Sequence, residues 1–242
     1  MNRRGQSALT ERLKYTNKAS RKSKPIEPVQ TWLSLPRGNQ IVLPARFQHE
    51  NVRAADSLVE YCIDKYSEEG QVVFDPFAGY GTTLVIAEEM GRQGYGIEFS
   101  KEKANYVKDL LAEPEHLIHS DSRNLKEYDL PNIDLCLTSP PYTHRSDTEN
   151  PFVDYRQKGF AYSTYLEVMG QVFAQVLQKM NPNGRLVIEA SNLKKDGDVT
   201  TLAWDIAHEV SHTFRFEGET IICWEEYGYG YNHSYCLVFS KT

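Results

Sequence analysis

The sequence has few of the features that mark membrane, secreted or zinc-binding proteins. It contains no apolar run of about 18 residues, which a membrane-spanning helix requires, so we expect no transmembrane segment and no membrane partner. Arg3 and Arg4 are not followed by the apolar stretch of a secretory signal. The four cysteines lie far apart without metal-ligand spacing, which predicts buried thiols, a reducing cytoplasmic compartment and no metal site.

Positive charge is also scarce overall, because the net charge of the 242 residues is −6. The distribution is uneven, since residues 1–25 carry eight basic side chains against the single acid Glu11. We expect residues 1–30 to form a basic, flexible arm that either neutralises nucleic-acid phosphates or remains a solvated tail. The length of residues 31–242, and a chain that is 40% hydrophobic, predict a single α/β domain for the remainder.

Strand and helix signals alternate along residues 51–240. Short apolar stretches predict strands at residues 71–74, 94–98, 116–119, 133–138, 185–189, 220–224 and 234–240. Apolar positions at intervals of three and four predict helices at residues 51–66, 82–90, 101–111, 165–180 and 200–213, whereas residues 32–43 are expected to be irregular. This alternation predicts a mostly parallel, seven-stranded sheet with helices on both faces. The last two strands are expected as an antiparallel pair at one edge.

A glycine-rich turn follows the first of these strands and opens a helix. It consists of Asp75, Pro76, Phe77, Ala78, Gly79, Tyr80, Gly81, Thr82 and Thr83. Small residues let the backbone approach a ligand, and the helix N-terminus supplies free N–H groups. Such a turn by itself fits a dinucleotide, a phosphate or a methionine carboxylate, but the lack of a Gly-Lys-Ser/Thr sequence argues against a Walker-type phosphate loop.

Two later acids narrow this choice. Glu98 ends the second strand, where a carboxylate can accept both hydroxyls of a ribose. Asp121 follows the third strand, with Ser122 beside it, and could accept the amino group of an adenine. Three neighbouring strand ends would thus line a cleft for methionine, ribose and adenine in turn.

A second motif, Ser139-Pro140-Pro141-Tyr142, ends the fourth strand. Two successive prolines fix φ near −65° and hold the carbonyl groups in a set direction. Ser139 Oγ and the Pro140 carbonyl could accept both hydrogens of an exocyclic amine, which moves the nitrogen toward a nucleophilic, tetrahedral state. Tyr142 could stack on the planar group that is held in this way. The alternative is a rigid turn with a core tyrosine.

These two motifs resemble those of the DNA amino-methyltransferases, which act on cytosine N4 or adenine N6. Residues 75–83 are similar to the family's cofactor motif D-P-F-x-G-x-G-T-T. The segment 139–142 is similar to its catalytic motif in the S-P-P-Y form associated with cytosine N4. The resemblance implies a Rossmann-like class I methyltransferase fold from about Pro44 onward, S-adenosyl-L-methionine as cofactor, flipping of a DNA base and a restriction-modification setting. It also implies cofactor contacts from Phe77, Gly79, Glu98 and Asp121, and base contacts from Ser139, Pro140 and Tyr142.

The sequence departs from this family because it shows no separate target-recognition domain. Recognition would then come from residues 1–30, from a loop at 143–159 that suits an active-site lid, or from the aromatic segment 224–233. The family motif that closes over methionine is matched only weakly, by Arg46-Phe47-Gln48-His49.

Several alternatives stay open at this point. An RNA amine methyltransferase or a DNA adenine-N6 methyltransferase would use the same chemistry, because serine and aspartate can both accept an amine hydrogen. A non-catalytic, cofactor-binding subunit that binds nucleic acid for a partner is a hypothesis of another class, and the intact segment 139–142 argues against it. A homodimer and a partner-bound subunit both fit the sequence.

Overall fold

One eight-stranded sheet and a separate two-stranded ribbon make up the β-structure of the computed structural model, which describes residues 30–50, 52–228 and 231–241. The strands are β1 Trp32–Leu35, β2 Val72–Asp75, β3 Gln93–Glu98, β4 Leu117–His119, β5 Ile133–Thr138, β6 Met180–Ala190, β7 Leu193–Lys195, β8 Asp198–Thr200, β9 Arg215–Gly228 and β10 Tyr231–Ser240. The helices are α1 Asp56–Tyr66, α2 Thr82–Glu89, α3 Lys101–Lys108, α4 Tyr162–Lys179 and α5 Leu202–Val210. Short 3-10 turns span Ala45–Glu50, Pro114–His116, Ser122–Glu127 and Pro151–Val153.

The large sheet has the order β1-β9-β10-β6-β5-β2-β3-β4, and β10 alone among its strands runs antiparallel to its neighbours. The chain passes from β2 through β3 to β4 at one edge of the sheet and then returns to β5 on the other side of β2. The strand order therefore reverses between β2 and β5, and ligands bind at this switch point in open α/β sheets. The carboxyl ends of β2, β3, β4, β5 and β6 therefore meet at one edge. The predicted α/β class, the parallel core and the antiparallel hairpin are confirmed.

Two elements differ from the prediction. Residues 32–43 were expected to be irregular, but Trp32–Leu35 forms an eighth strand that pairs in parallel with β9. The β9–β10 hairpin therefore does not form the outer edge of the sheet. The ribbon β7–β8 was not predicted either. It turns at Asp196 and Gly197, whose φ angles of 50° and 83° are those of a two-residue hairpin turn.

Alternating side chains of the sheet enter two cores, one on each face. Val73, Leu135 and Leu137 pack with α1, whereas Phe74 and Cys136 pack with α4 and α5. This period of two on strands buried on both faces explains why they appear as continuous apolar runs in the sequence. Within the described residues, no helix has both the length and the apolar character needed to cross a membrane.

The predicted arm, residues 1–30, lies outside the described residues except for Gln30, so its role stays a prediction. The predicted aromatic segment 224–233 is described except for residues 229 and 230, and its role in recognition stays a prediction. Residues 31–242 form one compact unit, and their assignment as a single catalytic domain stays a prediction.

Candidate active site

Three predicted carboxylates and one that was not predicted lie at strand ends or in the turn after a strand. Asp75 ends β2, Glu98 ends β3, Asp121 follows β4 and Glu189 is the penultimate residue of β6. Because these strands are parallel, their carboxyl ends lie along the same edge of the sheet. The predicted catalytic turn, residues 139–142, leaves β5 between the strand ends that carry Glu189 and Asp75.

Asp75 is a buried connector between three elements. Its Oδ1 accepts hydrogen bonds from Thr138 Oγ1 at 2.6 Å and from the Phe77 backbone N–H at 2.9 Å, and its Oδ2 accepts one from Thr83 Oγ1 at 2.9 Å. Burial raises the pKa of this carboxyl to about 6, and the three donors offset part of that rise. Asp75 is only 4% exposed. The structure thus places it beneath the loop, where it holds β2, β5 and α2 together.

Two glycines shape the loop from Pro76 to Gly81, and one of them is required for a second reason. Gly79 and Gly81 have φ angles of 56° and 79°, which favour glycine. At Gly81 a side chain would also lie 2.5 Å from Val107 Cγ1 of α3, so this residue allows α3 to pack against the start of α2. Phe77 turns the other way and contacts the ring of Phe152 at a centroid distance of 6.0 Å. Because α2 begins directly after this loop, its N-terminus lies at the carboxyl edge of the sheet, with Thr82 and Thr83 as its first residues.

Glu98 lies directly beside this loop. Its Oε2 accepts a hydrogen bond from the Gly79 N–H at 2.8 Å, and its Oε1 accepts one from the Ser100 N–H at 2.7 Å. Burial raises the pKa of the carboxyl to about 7, while these two donors and the nearby Lys103 lower it in part. A carboxylate has about four lone-pair positions, so two remain available for further donors such as ribose hydroxyls.

Asp121 and Ser122 follow β4 and stand in different environments. Asp121 accepts hydrogen bonds from the backbone N–H and the guanidinium of Arg123, which places a positive charge on the acid predicted to bind an adenine. Ser122 is buried, and its hydroxyl donates to the carbonyl of Pro76. Ser122 therefore fixes the loop after β2 to the segment after β4, a positioning contact that the sequence did not reveal.

The catalytic turn makes contact with a residue that was not predicted. Ser139 Oγ donates to Glu189 Oε2 at 2.6 Å. The Tyr142 hydroxyl lies 3.1 Å from the same oxygen and 3.2 Å from the Glu189 carbonyl. Burial, followed by the adjacent carboxylate, raises the pKa of Tyr142 well above its usual range, so this phenol stays neutral. Pro140 is buried, which holds the turn against the sheet.

Glu189 could have been suspected from its position alone. It is the only acid within the apolar run Leu186–Ala190, at the end of the strand that pairs with β5. An acid there follows the same rule that singled out Glu98. The sequence could not give its partner, because the contact between residues 139 and 189 depends on how β5 and β6 pair.

The loop 143–159 lies across both parts of the site. The hydroxyl of Tyr155 donates to the carbonyl of Tyr142 at 2.8 Å. Asp154 forms an ion pair with Lys103 of α3 at 3.6 Å. The charge of Lys103 also offsets part of the rise in the pKa of Glu98. Asp154 and Tyr155 have positive φ angles, 52° and 59°, although neither is a glycine. Such strain persists only where surrounding contacts hold it, and here the contacts come from the catalytic turn and from α3.

The β7–β8 ribbon supports this loop from the other side. Lys195 forms an ion pair with Asp147, and the Arg145 guanidinium lies 3.4 Å from Asp198 Oδ2. His144 is buried and its backbone N–H donates to Asp147 at 3.0 Å. Loop and ribbon are therefore joined beside the catalytic turn. No group of three or more potential metal ligands comes together in the described part of the chain.

Comparison with known proteins finds partial matches to one family model and to several curated methyltransferases. Residues 6–109 match a family model described as DNA methylase. The orphan methyltransferase M.BamHII of Bacillus amyloliquefaciens is 36% identical over 87 residues, which are 36% of this chain and 32% of that protein. The type II methyltransferase M.HindIII of Haemophilus influenzae is 48% identical over 42 residues, 17% of this chain and 14% of that protein. The matches thus span no more than about a third of the length of these curated relatives.

Solved structures give the fold. TrmN from Thermus thermophilus superimposes with a TM-score of 0.57 at 14% identity, over 78% of this chain and 49% of that one. A methyltransferase from Pyrococcus furiosus superimposes with a TM-score of 0.53 at 14% identity, over 78% and 83% of the two chains. The predicted Rossmann-like class I methyltransferase fold is confirmed.

The match to the DNA methylase model also supports S-adenosyl-L-methionine as the cofactor, and the residues present fit it. The N-terminus of α2 offers backbone N–H groups to a carboxylate, and Gly79 brings no side chain between the loop and a ligand. Glu98 keeps two lone-pair positions beside this loop. At the position predicted for adenine, Asp121 already accepts a hydrogen bond from the Arg123 guanidinium, so fewer of its lone pairs remain for an adenine amino group.

Proposed function

We propose, from the relation of this chain to the DNA amino-methyltransferase family, that it methylates an exocyclic amino group in DNA, with cytosine N4 as the target. The observation that carries the proposal is the hydrogen bond of 2.6 Å from Ser139 Oγ to Glu189 Oε2, at the strand end next to the cofactor loop. A rigid turn with only a structural role would not require a carboxylate behind the serine.

The serine–glutamate pair explains how an amine could be activated. An exocyclic amine is a poor nucleophile because its lone pair is delocalised into the ring. Since the Ser139 proton is directed at Glu189, the lone pairs of Ser139 Oγ are free to accept a hydrogen from the amine. The Pro140 carbonyl is the second expected acceptor. Both bonds strengthen as the nitrogen becomes tetrahedral, so they stabilise the transition state more than the ground state.

The same pair gives the released proton a path. S-adenosyl-L-methionine, when bound, supplies an electrophilic methyl group whose sulfonium becomes a neutral thioether on transfer. The new N–C bond leaves the nitrogen with one proton too many. Ser139 Oγ can take this proton as its own passes to Glu189 Oε2, 2.6 Å away. Overall, one N–H bond is replaced by one N–CH₃ bond and one proton is released.

Tyr142 is proposed to hold the base that leaves the DNA stack. A base inside a duplex cannot reach this turn, so it has to be flipped out. Stacking on an aromatic ring offsets about 1–3 kcal/mol of the lost stacking per base. The bonds from the Tyr142 hydroxyl to Glu189 and from Tyr155 to the Tyr142 carbonyl fix this ring and its backbone before substrate binds.

Cytosine N4 is the finer part of the proposal and rests on the serine of the S-P-P-Y form. The family includes enzymes that act on adenine N6, and Asp and Ser can both accept an amine hydrogen. Adenine in DNA, and an amine in RNA, are therefore the competing outcomes.

The test is incubation of the full chain with labelled S-adenosyl-L-methionine and separate DNA and RNA pools, followed by mass spectrometry of the nucleosides. N4-methylcytosine in DNA supports the whole proposal, and N6-methyladenine supports the reaction while correcting the base. A label found only in RNA overturns DNA as the substrate. If neither pool is labelled although the cofactor binds, the chain is a cofactor-binding subunit, and the Ser139→Ala variant serves as the inactive reference throughout.

A further inference from the structure

A row of aromatic rings runs from α5 along the first half of β10. Trp204 of α5 contacts Tyr235 at a centroid distance of 5.0 Å, and Tyr235 contacts His233 at 5.2 Å. His233 in turn contacts Tyr231 at 5.4 Å, and Lys194 of the β7–β8 ribbon lies 4.4 Å above the Tyr231 ring. We call these four rings the aromatic row. The reaction proposed above uses none of them.

The row is exposed in a way that the core rings are not. Trp204 is 41% exposed, and Tyr231, His233 and Tyr235 are all half-buried. By contrast, Ser234 of the same strand is buried and faces the opposite side of the sheet. Three half-exposed rings thus alternate with residues of the other face, and each presents part of its surface to the surroundings.

The row begins two strands away from the catalytic turn, beside the end of β6. Across the β6–β10 pair, Tyr235 lies opposite Ala190 and Cys236 lies opposite Glu189. From Tyr235 the row extends away from Glu189, and four residues of strand cover about 13 Å. This distance corresponds to three or four nucleotides at the B-form spacing of about 3.4 Å per nucleotide.

The rings are also held in place before any ligand arrives. The imidazole Nε2 of His233 lies 3.1 Å from the Tyr235 hydroxyl, a hydrogen bond that fixes both side chains. At the far end, Lys194 belongs to the β7–β8 ribbon, which is joined to the loop 143–159 by the ion pair of Lys195 with Asp147. A rigid aromatic surface loses little side-chain entropy on binding.

We propose that the aromatic row binds the nucleotides that flank the target base, with bases stacked on Trp204, Tyr235, His233 and Tyr231 and a phosphate at Lys194. This inference rests on the proposed function, since it assigns a second contact region to the same substrate. Aromatic rings stack on any base, and a cation at the end of the row matches the charge of the backbone. Burial raises the pKa of Tyr235, and Tyr231 and the acid Glu219 of β9 raise it further. Because Glu219 is negatively charged, the phosphate contact is placed at the Lys194 end.

The row also gives the target strand a contact region outside the reaction centre. Stacking is tolerant of sequence, so it would secure the strand around the flipped base while adding little base preference. The ribbon and the loop 143–159 would keep the row in register with Ser139 and Glu189, because ion pairs join them.

The test is a titration of the full chain with a fluorescently labelled single-stranded DNA about a dozen nucleotides long, followed by anisotropy, with Trp204→Ala as the variant. Because stacking contributes about 1–3 kcal/mol per base, we expect the Kd to rise roughly tenfold. Trp204→Phe keeps an aromatic ring and should restore most of the affinity, whereas Trp204→Leu keeps apolar packing without a ring and should not. Lys194→Ala should lower the slope of log Kd against log salt by about one.

Phe216→Ala is the matched control. Phe216 is 36% exposed and contacts Phe239 at 5.1 Å, but it lies at the opposite end of β9. Its loss should leave the Kd unchanged. If wild type binds and methylates DNA but Trp204→Ala binds it equally well, the aromatic row is not a nucleic-acid surface and the proposed function stands. If wild type neither binds nor methylates DNA, both proposals fail.

Discussion

The pH dependence of cofactor binding is the most direct test of the role assigned to Glu98. Burial raises the pKa of this carboxyl to about 7, so its charge changes within the neutral pH range. Two of its roughly four lone-pair positions are taken by the N–H groups of Gly79 and Ser100. The two others can accept the ribose hydroxyls only while the carboxyl is ionised, because protonation turns one of them into a donor.

The magnitude follows from the ionised fraction in the free protein. Below a pKa of about 7 this fraction falls roughly tenfold per pH unit, so the association constant at a pH of about 5.5 should be roughly 30-fold lower than its plateau above about pH 8. That loss corresponds to about 2 kcal/mol. The measurement is calorimetric titration of S-adenosyl-L-methionine between these pH values, with Glu98→Gln alongside. The variant should bind more weakly at high pH and show little pH dependence.

The effect on folding has the opposite direction and so separates the two causes of lost binding. The folded-state pKa of Glu98 lies above its ordinary value of 4.5, so the folded protein holds this proton more tightly than the unfolded chain does. The contribution of Glu98 to the free energy of unfolding is therefore largest below about pH 4.5 and is lost as the pH rises through about 7. Loss of cofactor affinity with an undiminished Tm would come from the site itself. Equal affinity at both ends of the pH range would refute the ribose role.

Three further substitutions test other contacts. Tyr142→Ala should lower turnover on duplex DNA by about tenfold or more while calorimetry finds cofactor affinity nearly unchanged, and a loss of cofactor binding would contradict its stacking role. Glu189→Gln should lower kcat by at least about 100-fold in a single-turnover assay with little change in cofactor affinity, whereas a normal kcat would remove it from the proton path. Gly81→Ala should reduce the free energy of unfolding by about 2 kcal/mol or more in urea, because its φ is 79° and its new side chain would meet Val107. Gly197→Ala has a similar φ of 83° but open space, so a cost as large as that at Gly81 would show that the contact with α3 is unimportant.

The fold could be predicted because its signals are local. Strands buried on both faces give apolar runs such as Ile133–Thr138, and helices between them give a period of three and four. β1 was missed because it has only four residues and because its exposed Trp32 is as apolar as its half-buried Leu33 and Leu35, so the alternation of burial does not appear in the sequence. Its strand conformation comes from pairing with β9, which lies nearly 190 residues later in the chain.

The candidate site was predictable as far as it consists of motifs. Residues 75–83 and 139–142 stand where the motifs placed them, at the carboxyl ends of β2 and β5. What the sequence could not provide is the set of contacts between strands: Ser139 with Glu189, Ser122 with Pro76, and the loop 143–159 with α3. Each of these depends on strand order, and strand order is a long-range property that single motifs do not carry.

The two buried acids near the loop 75–83 differ in role: Asp75 holds the scaffold together, and Glu98 is proposed to bind the cofactor. Both have a raised pKa for the same reason, burial, but Asp75 is engaged by three donors from its own scaffold, whereas Glu98 is engaged by two. One of the donors to Asp75 is Thr138, the residue immediately before Ser139. The cofactor loop and the catalytic turn are thus fixed to one another through a single carboxylate. Because methyl transfer requires donor and amine to be aligned, Asp75 would set that alignment without touching either reactant.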